Sequence, residues 1–421
     1  MLTAVIISSI LLVVFSLTQL LFGFSFGRWL RGSERSQALA LQSGILPKVS
    51  VVLSLRGADP DMENGLRAFM SQQYANYDLR IVVDRETDPA WEVVHRVIAQ
   101  TGFTRVHVTT LGERTGKCSL KNSAMVQLAR GLDADCEVMV MADGDLVCDP
   151  TWLTELIAPL ADAKVGAVSG LPWFWAPEGQ GGSLVRYLWF SATAVAMKTF
   201  RMAWGGTLAI RAEILRDTNL LDLWSKAMNE EHLLIAKLKE RNLKLELVPS
   251  LVMVNREECS LSFILGWIKR QMFNTRMYQP SWPFIFLHML GSSGLLLFLL
   301  VAGIAGVVLS DANLMLWSWG SLFAYELMML ISLIWIEGGV RRAVATRGET
   351  PLRFGLGRWL KIIAALPLTQ FCHAAATISS VLQQHLVWRG VVYKIDGPFD
   401  VRIVRDEPLQ QTVGQRLSQS I

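Results

Sequence analysis

Two carboxylates, Asp143 and Asp145, close an apolar run (VMVMADGDLVCD, 138–149) that has the composition of a buried strand. Acids released at the carboxyl end of a strand point into a site, and a turn at Gly144 would let both converge on one hard cation through oxygen ligands. Such a cation typically holds phosphate. Asp-Gly-Asp also makes an ordinary polar turn, so the surrounding residues must decide. Arg56 follows the run VSVVLSL, and Asp84 and Asp88 follow LRIVV in Asp84-Arg85-Glu86-Thr87-Asp88. Lys117 stands in Thr115-Gly116-Lys117. An acid in such a place can accept from ribose hydroxyls or a base imino group, and a lysine near a helix N-terminus can neutralise a diphosphate.

Glu230 and Glu231 lie in Asn229-Glu230-Glu231-His232, just before the helical pattern LLIAKLKER. Asn229 can cap that helix, and acids are favoured in its first turn by the dipole. The same field keeps a carboxylate ionised and competent as a base near neutral pH. Trp204-Gly205-Gly206-Thr207 precedes another apolar run, where the glycine pair suits either a plain turn or close backbone approach to a ligand.

The elements that must position these residues alternate. Runs at 49–55, 79–83, 106–111 and 138–141 have strand composition, and 62–73, 91–100 and 119–132 have helical periodicity. That alternation predicts a mostly parallel α/β sheet, with ligands at the carboxyl ends of its strands. No glycine-rich dinucleotide fingerprint or Walker loop follows any strand. Carboxylates and a metal are then the simplest way to hold a nucleotide.

The chain has 421 residues, 52% of them hydrophobic, with mean hydropathy +0.34, high for a wholly soluble protein. Residues 3–27 carry no charge and are long enough to cross a hydrocarbon core of roughly 30 Å. No basic segment precedes them and Arg28, Arg31 and Arg35 follow, which favours an uncleaved anchor over a signal peptide. Further spans are expected at 284–310 and 314–336. The stretch 360–382, with Pro367, Gln370 and His373, is a less certain fourth.

Basic residues after the first span, and again at Arg341, Arg342, Arg347, Arg353 and Arg358, place 28–283 and 337–359 on the cytoplasmic face. The expected order is an anchor at 1–27, a linker at 28–46, a catalytic α/β domain at 47–259 and an interfacial amphipathic helix at 260–283. A membrane region at 284–382 and a cytoplasm-facing or interfacial tail at 383–421 complete it. Forty basic against 36 acidic residues, with no long basic run, argue against nucleic acid as a partner. No obligate protein partner is evident. Five scattered cysteines form no metal-binding spacing and suit a reducing compartment.

In this order the motifs VSVVLSLRG, VVDRETDPA, TGKCSLKN, MADGD, GAVSGLPW, WGGTLAIR, NEEHLL and VWRGVVY resemble the GT-A glycosyltransferases of family 2, in the ceramide glucosyltransferase-like branch. The resemblance implies a membrane-bound inverting transfer of a hexose from a nucleotide sugar, UDP-linked by preference, to a hydroxyl of a lipid acceptor. It implies that Asp84 and Asp88 contact the nucleoside, that Lys117 contacts the diphosphate, and that Asp143 and Asp145 hold Mg2+ or Mn2+. Glu231 takes the position of the base and Arg270 that of the arginine in the Q/RxxRW motif, where it would neutralise the leaving diphosphate.

Two departures stand out. The family's Glu-Asp pair is Glu230-Glu231 here, and Trp267 and Gln271 replace the outer residues of the arginine motif. Loss of that motif favours single transfer over the competing reading, a processive polysaccharide synthase. A catalytically inactive membrane scaffold with the same fold is the reading from another class.

Overall fold

The uncharged N-terminal run forms helix α1 (Leu2–Leu30), followed by α2 (Ser33–Gln42). This computed structural model describes residues 1–42, 44 and 46–408. Positions 43 and 45 of the expected linker, and 409–421 of the expected tail, lie outside the described residues.

Seven elements then alternate. They are β1 (Val49–Leu55), α3 (Met62–Met70), β2 (Tyr77–Val83), α4 (Pro89–Thr101), β3 (Val106–Thr110), α5 (Leu120–Arg130) and β4 (Val138–Ala142). Local chemistry sets the boundaries. In α4 the Asp88 side chain accepts from the Ala90 N–H, Pro89 occupies the first turn, and Gly102 ends the helix in the left-handed region at φ +66°. In α5 the Ser119 hydroxyl accepts from the Asn122 N–H.

After β4 come α6 (Trp152–Ile157), β5 (Val165–Phe174), α7 (Gly181–Phe200) and β6 (Thr207–Arg211). Three helices, α8 (Ala212–Asp217), α9 (Leu220–Trp224) and α10 (Glu231–Glu240), lead to the long strand β7 (Lys244–Asn255). Four more helices follow, α11 (Leu261–Tyr278), α12 (Trp282–Leu309), α13 (Ala312–Thr346) and α14 (Leu356–Val381). The described chain ends in strands β8 (His385–Trp388), β9 (Val391–Gly397) and β10 (Asp400–Asp406).

Two units result. One contains Gly32–Trp173, Phe200–Asn255 and the chain from Gln383 onward. Its larger sheet has the order β3-β2-β1-β4-β6-β5-β7. The pairs β3–β2, β2–β1 and β1–β4 are parallel, whereas β6 runs antiparallel to both β4 and β5. The sheet is therefore mixed and mostly parallel, with the reversal at β6. All of β4 and all of β1 except half-buried Ser54 are buried, as expected for strands covered on both faces. The second sheet is the antiparallel β10-β9-β8.

The other unit contains Met1–Arg31, Phe174–Thr199 and Arg256–Leu382. Among the described residues four helices are long and apolar enough to cross a membrane: α1 with its continuation to Ala40, α12, α13 and α14. Glycines let α1 and α13 approach closely. A Cβ on Gly27 would meet the Trp335 ring at 2.4 Å, and one on Gly339 would lie 3.0 Å from the Gly27 carbonyl. Helix α7 belongs with these helices. Its Val185, Trp189 and Phe190 pack with Ile264, Ile268 and Met272 of α11 and with Cys372 and Ala376 of α14. Glu337 of α13, itself buried, accepts from the Tyr187 hydroxyl at 2.9 Å and the Trp175 indole at 3.2 Å. All five cysteines are buried as thiols.

Candidate active site

Strand β4 ends at Ala142, and Gly144 and Asp145 turn the chain, closed by the Leu146 N–H on the Asp143 carbonyl at 3.1 Å. Ala142 pairs with Thr207, so the carboxyl end of β4 meets the start of the antiparallel strand β6, where Gly205 and Gly206 lie. The glycine pair faces carboxylates. A Cβ on Gly206 would sit 2.5 Å from Asp143 Oδ2, and one on Gly205 would sit 2.7 Å from Glu231 Oε1 and 3.0 Å from Glu230 Oε1. The Gly205 N–H donates to Glu231 Oε1 at 3.0 Å. The backbone of 205–206 thus fits between the acids of β4 and those of α10 because it carries no side chains.

One cation joins the two sides. Lys121, in the first turn of α5, places Nζ 3.4 Å from Asp143 Oδ1 and 2.9 Å from Glu230 Oε1. Its side chain is 20% exposed and that of Glu230 only 3%. Burial works against the ammonium, yet the charges of Glu230, Asp143 and Glu231 outweigh it and hold the lysine above its ordinary range. Burial, then the Glu231 charge, pushes the Glu230 carboxyl up to about 7 against the pull of Lys121. Glu231 opens helix α10 and hydrogen-bonds the Asn229 amide, whose Oδ1 accepts from the His232 N–H at 3.2 Å as a cap would. Burial lowers the His232 imidazole to about 4, which keeps it neutral near pH 7.

The end of β2 carries a second ionic cluster. Asp84 receives Arg56 Nη1 at 2.7 Å and Arg114 Nη2 at 2.5 Å. Asp406 of β10 binds the same two arginines, at 3.0 and 2.5 Å, and Arg85 at 2.7 Å. Asp88 is engaged with backbone: its Oδ1 accepts from Gly57 and Ala90, both at 2.9 Å, and burial raises its carboxyl above the usual range. The small sheet is fastened here too. The Tyr393 hydroxyl accepts from the Leu120 N–H at 3.2 Å, and the Ile403 N–H donates to Gly116 at 3.0 Å.

The structure thus brings Asp143, Glu230 and Glu231 around one lysine, and Arg56 and Asp84 into a neighbouring cluster of the same unit. Lys117 is exposed in the loop before α5. Arg270 lies on α11 of the helical unit, on the helix whose Trp267 packs against Trp189 and Phe190. Sequence reasoning missed Lys121, Arg114 and Asp406. Lys121 carried a legible signal. It stands inside TGKCSLKN, four residues after Lys117, and the structure encloses it in the first turn of α5 beside buried Leu120 and Asn122.

Among the described residues no cluster of three or more metal-ligating side chains occurs. Asp143 and Asp145 together supply two carboxylates, and the Asp143 side chain is 38% exposed. That donor set suits a Mg2+-like ion completed by phosphate oxygens and water, and does not suit an all-protein cage.

Several solved structures are similar to this chain over much of its length. The mannosyltransferase PcManGT from Pyrobaculum calidifontis, in complex with GDP-Man and Mn2+, is 15% identical, covering 88% of this chain and 99% of that one, with a TM-score of 0.45. S. aureus TarS 1-349 is 11% identical over 85% of this chain and 99% of that one, with a TM-score of 0.37. Glucosyl-3-phosphoglycerate synthase from Mycobacterium tuberculosis, in complex with Mn2+ and UDP-glucose, is 14% identical over 57% and 80%, with a TM-score of 0.35. The family model described as glycosyl transferase family 21 matches residues 1–398, nearly the whole chain. The expected family 2 is thereby corrected: the chain is a glycosyltransferase and belongs to glycosyl transferase family 21.

Proposed function

We propose that this glycosyltransferase has a GT-A catalytic domain and transfers a hexose, with inversion, from a UDP-sugar to a hydroxyl of a membrane lipid of the ceramide type. The observation that carries the reading is the meeting of Asp143, Lys121, Glu230 and Glu231 at the Gly205-Gly206 backbone. Acids suited to a metal-diphosphate and a carboxylate suited to a base then lie on opposite sides of that backbone. Four helices able to cross a bilayer support an integral membrane protein and a lipid acceptor, and the arginines after residue 27 and at 341–358 support a catalytic unit on the cytoplasmic face.

In this reading Asp143 and Asp145 hold Mg2+ or Mn2+, which when bound stabilises the charge developing on the leaving diphosphate. Glu231 accepts the proton of the acceptor hydroxyl as its oxygen bonds to the anomeric carbon and the bond to the diphosphate breaks. Glu230 and Lys121 fix the field around that base. Asp84 contacts the nucleoside from the arginine cluster, and Asp88 holds the Gly57 backbone beside it. Lys117 approaches the diphosphate from its loop.

Membranes containing the chain, given radiolabelled UDP-hexoses, should yield label in the organic-solvent phase. Label confined to an insoluble polymer would instead identify a polysaccharide synthase. Asp143→Ala and Glu231→Ala should each lower transfer by about 100-fold or more while the chain stays folded and inserted. Unchanged product in both removes the site assignment and leaves the scaffold reading.

A further inference from the structure

Arg389 has no part in the activity described above, yet it is held with unusual care. It and Gly390 form the turn between β8 and β9, with both residues at positive φ, +47° and +77°. Glycine adopts this conformation freely, whereas arginine does so at a cost of about 1 kcal/mol or more. Three bonds hold it there. Arg389 Nη2 donates to Asp59 Oδ2 at 2.8 Å, Nη1 donates to the Arg56 carbonyl, and the Arg389 carbonyl accepts from Arg56 Nε at 2.9 Å.

Those partners lie just past the end of β1. Strands β1 and β4 run parallel with Leu53 opposite Ala142, so the segment 56–59 leaves the sheet beside 143–145. The electrostatics agree. Burial disfavours the guanidinium, and Asp59, then Asp145 and Asp143, hold it above its ordinary range. The side chain remains 23% exposed, so a ligand can reach it.

We propose that Arg389 binds the diphosphate of the nucleotide donor, facing the Asp143–Asp145 pair from the turn between β8 and β9. A diphosphate carrying one divalent cation still bears net negative charge, and a guanidinium fork matches its oxygens. The inference rests on the donor reading above and adds a residue to it.

The test uses the full-length chain in detergent. Arg389→Gln should weaken UDP binding in the presence of Mn2+ by about 10- to 100-fold and leave UMP binding within twofold. Mn2+ alone, titrated by electron paramagnetic resonance, should bind more tightly than to the parent, because a cation facing its carboxylates is gone. A residue that merely supports the fold would lower all three affinities together. UDP binding within twofold of the parent, or equal losses for UDP and UMP, overturns the inference.

Should the glutamine chain not fold, the unaltered chain decides. UDP with Mn2+ should slow phenylglyoxal modification of Arg389, mapped by mass spectrometry, and UMP should not; equal rates overturn the inference. If the parent binds no nucleoside diphosphate while remaining folded, the donor reading itself fails and takes this one with it. If Asp143→Asn weakens UDP binding and Arg389→Gln does not, only the role of Arg389 falls.

Discussion

Lys121 couples the two acidic sides of the site, and its removal should be felt on both. Lys121→Met leaves Glu230 and Asp143 without their shared cation, with an expected destabilisation of about 3 kcal/mol. Adding Glu230→Gln should recover most of that loss in thermal unfolding, and additive losses in the double variant would show that no coupling exists. Glu230 also predicts a pH dependence. The folded chain keeps this proton to about pH 7, whereas the ordinary value is 4.5. The neutral carboxyl therefore contributes stability that is complete below 4.5 and gone once the pH has risen through 7. Glu230→Gln, which stays neutral, should gain on the parent by about 3 kcal/mol between pH 5 and pH 8. An equal difference in melting temperature at the two pH values contradicts this.

At the scale of elements, β6 does the gathering. Parallel alternation of strands was legible up to β4, since apolar runs and caps repeat regularly there: 49–55 is Val49–Leu55, and 138–141 is extended by one residue to Ala142. The reversal at β6 was not legible, because the run Leu208–Ile210 has strand composition in either direction. Yet only the antiparallel β6 brings Gly205 and Gly206 against the end of β4. Gly206→Ala should push the Asp143 carboxylate and the Trp204 ring aside, since its Cβ would lie 2.5 and 2.3 Å from them. Mn2+ affinity is expected to fall by tenfold or more with folding and insertion retained; parent-like Mn2+ binding would falsify the close fit. The arginine cluster was only half visible, because Asp84 and Arg56 sit in motifs while Arg114 and Asp406 become its partners through contacts between 114 and 406 that no local pattern encodes.

For the whole molecule, the sequence indicated the apolar helices well. The helix expected at 314–336 extends as α13 to Thr346, beyond its apolar stretch, and 360–382 is continuous as α14 despite Pro367. The two units are not contiguous in sequence order. A contiguous stretch at 47–259 suggested itself, but α7 groups with the apolar helices, and the strands after Leu382 join the α/β unit. Their place depends on contacts of Asp406 with Arg56 and Arg114 and of Tyr393 with Leu120, hundreds of residues upstream, which no local pattern encodes. A chain ending at Leu382 should accordingly still enter membranes but lose UDP binding, measured on detergent extracts. Retained UDP binding in that shortened chain would show the small sheet to be dispensable.

The late position of β8 to β10 has a consequence for biosynthesis. A ribosome releases Arg389 and Asp406 only after every apolar helix has emerged. We expect the nascent protein to stay unable to engage sugar donor until residues 385–406 have emerged, by which point its apolar helices have had time to insert. Chains arrested on the ribosome before and after residue 406 should differ in donor capture, and capture by the shorter one would remove the idea. Order of synthesis would then act as a safeguard, withholding sugar transfer from any copy not yet seated in its bilayer.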